Sequence, residues 1–205
     1  MKNVCAFLVC IPLLASAGLS QPSSLVGHTG TKAARMNNIL PAQNQPAADL
    51  RGALDFWVSN TEKEVVSAAE AMPEATYGFA PSGGEFRGVR TFAQQVKHLA
   101  ANNFRMAAYI HDQPATPDQE QETGPDSVQT KAEIVDYLRG SFAALHRAVT
   151  TIDGANAAVP MASHRTRRQN TRLQFVIDAV AHSYDHYGQM VEYLRMNGIV
   201  PPASR

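Results

Sequence analysis

Two histidines four residues apart, His182 and His186, stand in the run Ala181-His182-Ser183-Tyr184-Asp185-His186-Tyr187-Gly188-Gln189. On an α-helix a four-residue step turns the chain about 400°, so both imidazoles share one face, with Cβ atoms roughly 5–6 Å apart. Two imidazoles so placed can grip one divalent ion. A third ligand from another segment would leave one coordination position open, as in catalytic rather than structural sites. His98 is the first choice for that ligand and His146 its rival; His28, His111 and His164 fall in a leader, a helix end and a loop. Three neutral imidazoles leave the ion its full double charge, so a bound water or thiol would lose its proton near neutral pH. Asp178 and Asp185 are the candidates to orient an imidazole through its second nitrogen, and Tyr109, Tyr184 and Tyr193 are candidate pocket linings.

The helix carrying the pair must present it inward. With His182 at zero and roughly 100° per residue, Phe175, Ala179, His186 and Tyr193 fall within about 60° of it. Leu173, Val176, Val180, Val191 and Leu194 cover much of the far side, and Asp178, Asp185, Gln189 and Glu192 form a polar strip beside the histidines. The helix therefore reads as central, with the imidazoles at the edge of a wet cleft. Gly188 costs a helix about 1 kcal/mol relative to Ala, which suggests a close helix crossing there.

Four such helices are predicted. The first spans 49–72, with Leu50, Ala53, Leu54, Trp57, Val58, Val65 and Ala68 at three- and four-residue steps before Pro73. Residues 73–88 read as a loop studded with Tyr77, Phe79 and Phe86 that folds back on the bundle. The second helix, 91–112, buries Phe92, Val96, Leu99, Met106 and Ile110, and sets His98, Asn102, Arg105 and Tyr109 in a neighbouring stripe. Residues 113–124, rich in Pro, Gln and Glu, read as a surface loop. The third helix, 130–150, carries Ile134, Leu138, Phe142, Leu145 and Val149; the fourth, 170–196, ends at Gly198 as its cap. Four helices without a credible strand make an all-α chain, a four-helix bundle.

Residues 1–20 read as a secretory signal. Lys2 precedes an apolar run over 4–14, and Ala15-Ser16-Ala17 supplies the small residues of a cleavage site, with Ala17 favoured over Ser20 as the last residue removed. The run is short of the about 20 residues that span a bilayer, so no stable membrane insertion is expected after cleavage. Export to a periplasmic or extracellular space follows. The only cysteines, Cys5 and Cys10, leave with the signal, which excludes disulfides, thiolate ligands and a cysteine nucleophile. Residues 21–48 read as a flexible leader with at most one helical turn over 33–40, and 49–205 as the folded domain. Eighteen basic residues balance eighteen acidic ones, which argues against nucleic-acid binding driven by phosphate neutralisation. The one basic cluster, His164-Arg165-Thr166-Arg167-Arg168, reads as a solvated loop or helix start rather than a nucleic-acid surface. No G-x-S-x-G, Walker loop or H-E-x-x-H is present, so enzymatic chemistry rests on the histidines.

Three stretches carry a family resemblance: Tyr77-Gly78-Phe79-Ala80-Pro81 with Phe86-Arg87-Gly88-Val89-Arg90; Val96-Lys97-His98-Leu99-Ala100; and the segment from His182 to Gln189 with Tyr193-Leu194-Arg195 and the tail from Gly198 to Ser204. Over 49–204 the chain resembles the DinB-like superfamily, the damage-inducible and YfiT-like metalloprotein group, which is unrelated to the DNA polymerase of similar name. The resemblance implies a four-helix bundle of crossed connectivity, with a divalent metal held near one end by His98, His182 and His186. It implies zinc or nickel foremost, with iron or manganese as alternatives. Relatives in its best-understood branches are thiol S-transferases and isomerases that use a low-molecular-weight thiol of the cytosol, an activity at odds with an exported chain. The expected function is that of a metal-dependent hydrolase or transferase acting on a small molecule; the alternative is a non-catalytic metal- or small-molecule-binding bundle. Apolar helix faces would permit a homodimer.

Overall fold

Each long helix starts at a side chain that accepts from a free backbone N–H of its own first turn. A computed structural model describes residues 49–161 and 170–205, which lie within a unit spanning Gln45–Arg205. Asp49 accepts from Gly52 N at 2.6 Å and opens α1, Leu50–Ala71. Thr91 with Gln94, Thr130 with Glu133, and Thr171 with Gln174 form reciprocal capping boxes at the starts of α2 (Phe92–Ile110), α4 (Lys131–Val149) and α5 (Arg172–Met196). A four-residue helix, α3 (Pro117–Glu120), and 3-10 turns at Glu74–Thr76 and Pro202–Ser204 complete the elements. Among the described residues no strand forms, only an isolated bridge between Met161 and Asn170. The expected signal over 1–20, the leader over 21–48 and the basic cluster at Arg165, Arg167 and Arg168 lie outside the described residues.

The four long helices form the expected bundle, each within two residues of its predicted ends. α1 packs on α4 and α5, and α2 packs on the same two, so consecutive helices α1 and α2 face each other across the diagonal. Lys131 at the start of α4 donates to the carbonyls of Glu70 and Met72 at the end of α1, which makes that pair antiparallel. Gln95 meets Gln189 while Tyr109 stacks near Phe175, so α2 and α5 are antiparallel as well. Lys97 meets Pro125 and Val128 just before α4, and Asn103 meets Ser141 further along, so α2 and α4 run in one direction. A parallel pair needs a long return connection, and residues 111–130 make it.

The core is a seam of Val58, Val65 and Ala68 from α1, Phe92, Leu99 and Ile110 from α2, Leu138, Phe142 and Leu145 from α4, and Val176, Met190 and Leu194 from α5. One expectation fails: Ala53 and Trp57 face outward, Trp57 with 53 % of its surface exposed and its ring edge-on to Phe56. The α1 seam instead runs through Leu54, Val58, Thr61 and Val65. Thr61 is fully buried because its hydroxyl donates to the Trp57 carbonyl at 2.7 Å, and a satisfied hydroxyl can sit in a core. The aromatic loop does fold back through Tyr77, whose hydroxyl donates to the Ala69 carbonyl at 2.7 Å, and Phe79; Phe86 stays exposed. Tyr77 and Phe79 carbonyls accept from Ala93 and Phe92 N–H, closing the start of α2. α5 ends as predicted: Gly198 has φ +73°, with Ile199 N–H to Leu194 O and Gly198 N–H to Arg195 O, the paired bonds of a Schellman cap.

Candidate metal centre

His98 sits two turns into α2, and the capping box at Thr91 sets where that helix begins and hence which way His98 points. His182 and His186 occupy the middle of α5, on the face that meets α2. Antiparallel packing then brings the three rings together: one ligand atom from each lies within 4.8 Å of the other two. Ring centroids are 5.1 Å (His98 and His182), 4.8 Å (His98 and His186) and 4.5 Å (His182 and His186) apart. His98 and His186 are buried, and His182 is half-buried toward the opening. The rival His146 is elsewhere, bridging Asp55 at 2.6 Å and Glu62 at 3.0 Å on α1.

Two of the rings are held by their outer nitrogens. His98 Nδ1 lies 2.6 Å from the Glu122 carbonyl, which can only accept, so Nδ1 carries the proton and Nε2 presents a lone pair. His186 Nδ1 lies 2.6 Å from Gln95 Oε1, Gln95 Nε2 donates to Gln189 Oε1 at 2.7 Å, and Gln189 Nε2 donates to Asp185 Oδ2 at 3.2 Å. The acceptor-only carboxylate at the end of this chain sets the direction of every amide in it, and hence the Nδ1–H form of His186. The orienting groups are thus Gln95 and the Glu122 carbonyl, not the aspartates beside the histidines; Asp185 acts only at two removes. The same Asp178 and Asp185 do face the cleft, as do Arg90, Asn102 and Arg105. Tyr109 and Tyr193 instead bond Glu120 and the Arg90 carbonyl, and with Tyr184 they are absent from the cleft wall.

The His98 and His182 Nε2 atoms are 3.1 Å apart. Ligand nitrogens about 2.0–2.1 Å from a tetrahedral zinc stand roughly 3.3 Å from each other, so the spacing fits a shared ion. Electrostatics agree. Burial lowers His98 to about 4, helped by Arg90, and lowers His186 to about 3, helped by its two neighbouring imidazoles; burial lowers His182 too. Neutral rings are what a metal needs from its ligands.

The segment 113–124 is more than a surface loop. It holds α3, and its Glu122 carbonyl accepts from both His98 Nδ1 and Arg90 Nε. Gly124 makes this approach practicable: at φ +70° a Cβ there would stand 2.5 Å from Lys97 Cβ and 3.0 Å from the Lys97 carbonyl group. Gly188, in contrast, has nothing among the described residues within 4 Å of an added Cβ, so no close crossing forms there among them. The two glycines should respond oppositely. Gly188→Ala is expected to raise stability by about 0.5–1 kcal/mol. Gly124→Ala should lower it by more than about 1 kcal/mol, through strained backbone and overlap, and should lift Glu122 off His98. Thermal melts of both variants check the signs.

A pH response follows from the same rings. Their folded pKa values lie below the ordinary 6.5, so on acidification the unfolded chain takes up protons first. Their contribution is complete above about pH 6.5, starts to fall there as the unfolded chain's imidazoles take up protons, and is gone once pH has passed about 4 for His98 and about 3 for His186. His146 works the other way: burial opposes its charge, but Asp55 and Glu62 raise its pKa, so its contribution is full in acid and fades as pH rises past that value. Metal-free protein is therefore expected to lose melting temperature between pH 6.5 and 5, above the ordinary carboxylate range. A flat profile there would contradict the buried neutral triad.

Residues 58–190 match the family model of the DinB superfamily. No curated protein matches the chain. The crystal structure of a DinB-like protein from Bacillus cereus ATCC 10987 aligns with a TM-score of 0.58 at 14 % identity, covering 75 % of this chain and 96 % of that one. That likeness is one of fold. The diagonal bundle, the long return connection, and a family match that spans α2 and takes in both His182 and His186 lead to one conclusion: the chain belongs to the DinB superfamily.

Proposed function

We propose that the protein binds one divalent metal through His98, His182 and His186 and uses it as a Lewis acid, as a hydrolase or transferase of a small polar molecule. The observation that carries this reading is the meeting of three imidazoles whose ligand atoms lie within 4.8 Å of one another, two of them turned inward by acceptors on their outer nitrogens. An ion held there would supply acidity to a bound water or thiol and polarise a bound carbonyl. The chain's own residues do the rest. Gln95 and the Glu122 carbonyl hold His186 and His98 in register, and the cleft of about 440 Å³ above the rings leaves room for a ligand. Arg90, paired to Glu122 at 2.9 Å, fixes the connection that closes one side.

Zinc or nickel is the proposed ion, since uncharged imidazoles suit both. Export is proposed from the apolar run over 4–14 and the small residues that follow. The test is elemental analysis of protein taken from the secreted or periplasmic fraction, whose first residue also reads the removal of 1–20. One equivalent of metal is expected, with hydrolysis or thiol transfer that a chelator abolishes and one metal restores. Stoichiometric metal without turnover across such screens would favour the non-catalytic reading, and absence of metal after reconstitution would refute both.

A further inference from the structure

The cleft over the histidines has a buried floor and an exposed rim of different character. Asn102 and Arg105 follow His98 on α2 by four and seven residues, so they share its face, and they are 3 % and 4 % exposed. Asp178 and Asp185 on α5, with Glu122 on the return connection, are exposed at the mouth. Water and salt screen such rim charges, while a buried guanidinium keeps more of its field. Arg105 donates from Nη2 to Asn102 Oδ1 at 2.7 Å and from Nη1 to the Gln119 carbonyl at 3.2 Å, with a Glu120 carboxylate oxygen 3.8 Å away.

The bond to Arg105 settles the orientation of the Asn102 amide: its oxygen is committed, and its nitrogen points elsewhere. That nitrogen is buried and has no hydrogen-bond acceptor among the described residues. An unmet buried donor is costly, and such a cost in a native fold calls for a reason, such as a ligand that supplies the missing acceptor. An apolar or purely cationic ligand would supply none. A carboxylate supplies two acceptor oxygens and a charge that the guanidinium favours.

We infer that Asn102 and Arg105 form a subsite for a carboxylate on the molecule that reaches the histidine cluster, so that the ligand is a small polar acid. This deepens the metal reading and rests on it only for the neighbouring ion, so the two can fail separately. Zinc content is measured first. Zinc-loaded protein is then titrated calorimetrically with succinate, which carries one carboxylate for the ion and one for the subsite, and with butyrate, which has only one. Succinate is expected to bind at least about tenfold more tightly, in line with one charge-assisted contact. Asn102→Leu should bring that ratio below about threefold, while zinc affinity changes by less than about threefold. A ratio near one in the unaltered protein overturns the subsite, whatever the variant does. Metal-free protein gives an independent reading: butyrate, but not butyramide, should shift the Asn102 side-chain amide resonances. Equal responses would overturn the subsite even if zinc fails to bind.

Discussion

His186→Ala is expected to lose the one equivalent of zinc proposed for the unaltered protein, with His98→Ala and His182→Ala behaving alike. Each substitution removes one of three converging ring nitrogens, so the loss in affinity should exceed the roughly 10–100-fold that removal of an outer partner costs. Zinc should also stabilise the fold, because an ion that binds only the folded state shifts the equilibrium toward it. At free zinc about 100 times its dissociation constant, the gain is ~2.7 kcal/mol, or roughly 5–10 °C in melting temperature for a domain of this size. In the three variants that shift should vanish at the same zinc concentration. His146→Ala is the control: it removes the bridge to Asp55 and Glu62 between α4 and α1 and should leave the zinc shift intact even where it lowers the starting stability. Competition with a chromophoric chelator and thermal melts in parallel read both quantities. Zinc affinity retained in His98→Ala would break the proposed centre.

Gln95→Leu is expected to give the second-largest effect. Gln95 is 2 % exposed and stands between His186 and Gln189. Leucine fills much of the volume but removes both bonds, leaving the buried His186 Nδ1–H without an acceptor. Zinc affinity should fall roughly 10–100-fold, and stability by about 1–3 kcal/mol. Gln95→Glu keeps an acceptor toward His186, so it should recover most of the affinity, which a role in packing alone would not produce. Nitrogen-15 spectra of the metal-free protein provide a direct signature: His186 should be protonated at Nδ1 in the unaltered chain and mixed between tautomers in Gln95→Leu. An unchanged tautomer and unchanged affinity together would remove Gln95 from the centre.

Much of this architecture is legible in the residue order. The helix ends are local matters: the Thr-x-x-Gln and Thr-x-x-Glu boxes at Thr91, Thr130 and Thr171, and the glycine at 198, each act within one turn. The boxes also explain why the last helix begins at Arg172 rather than Asn170, whose carbonyl is used by Met161 N–H instead. Periodicity misplaces Trp57 because it counts apolar residues, and α1 uses the self-satisfied Thr61 in its seam. Gly188 misleads because a glycine in a helix signals an absent side chain without saying what, if anything, fills the space.

The orienting groups were illegible for a different reason. Gln95 is 91 residues from His186, and the atom that holds His98 is a backbone carbonyl, at Glu122, which no side-chain pattern encodes. Asp178 and Asp185 were plausible by proximity in sequence, yet residues one turn from a ring along a helix point along its own surface, whereas the outer nitrogen points across to the next element. By itself, the order of residues determined the helices, the polarity of their faces and the pairing of His182 with His186, because each depends on contacts within a few residues. The tertiary structure alone decided that α2 runs antiparallel to α5 with His98 at the right height, that residues 113–124 turn a carbonyl onto it, and that Asn102 and Arg105 lie beneath the same cleft. Those relations are distances between segments remote along the chain, and only packing sets them.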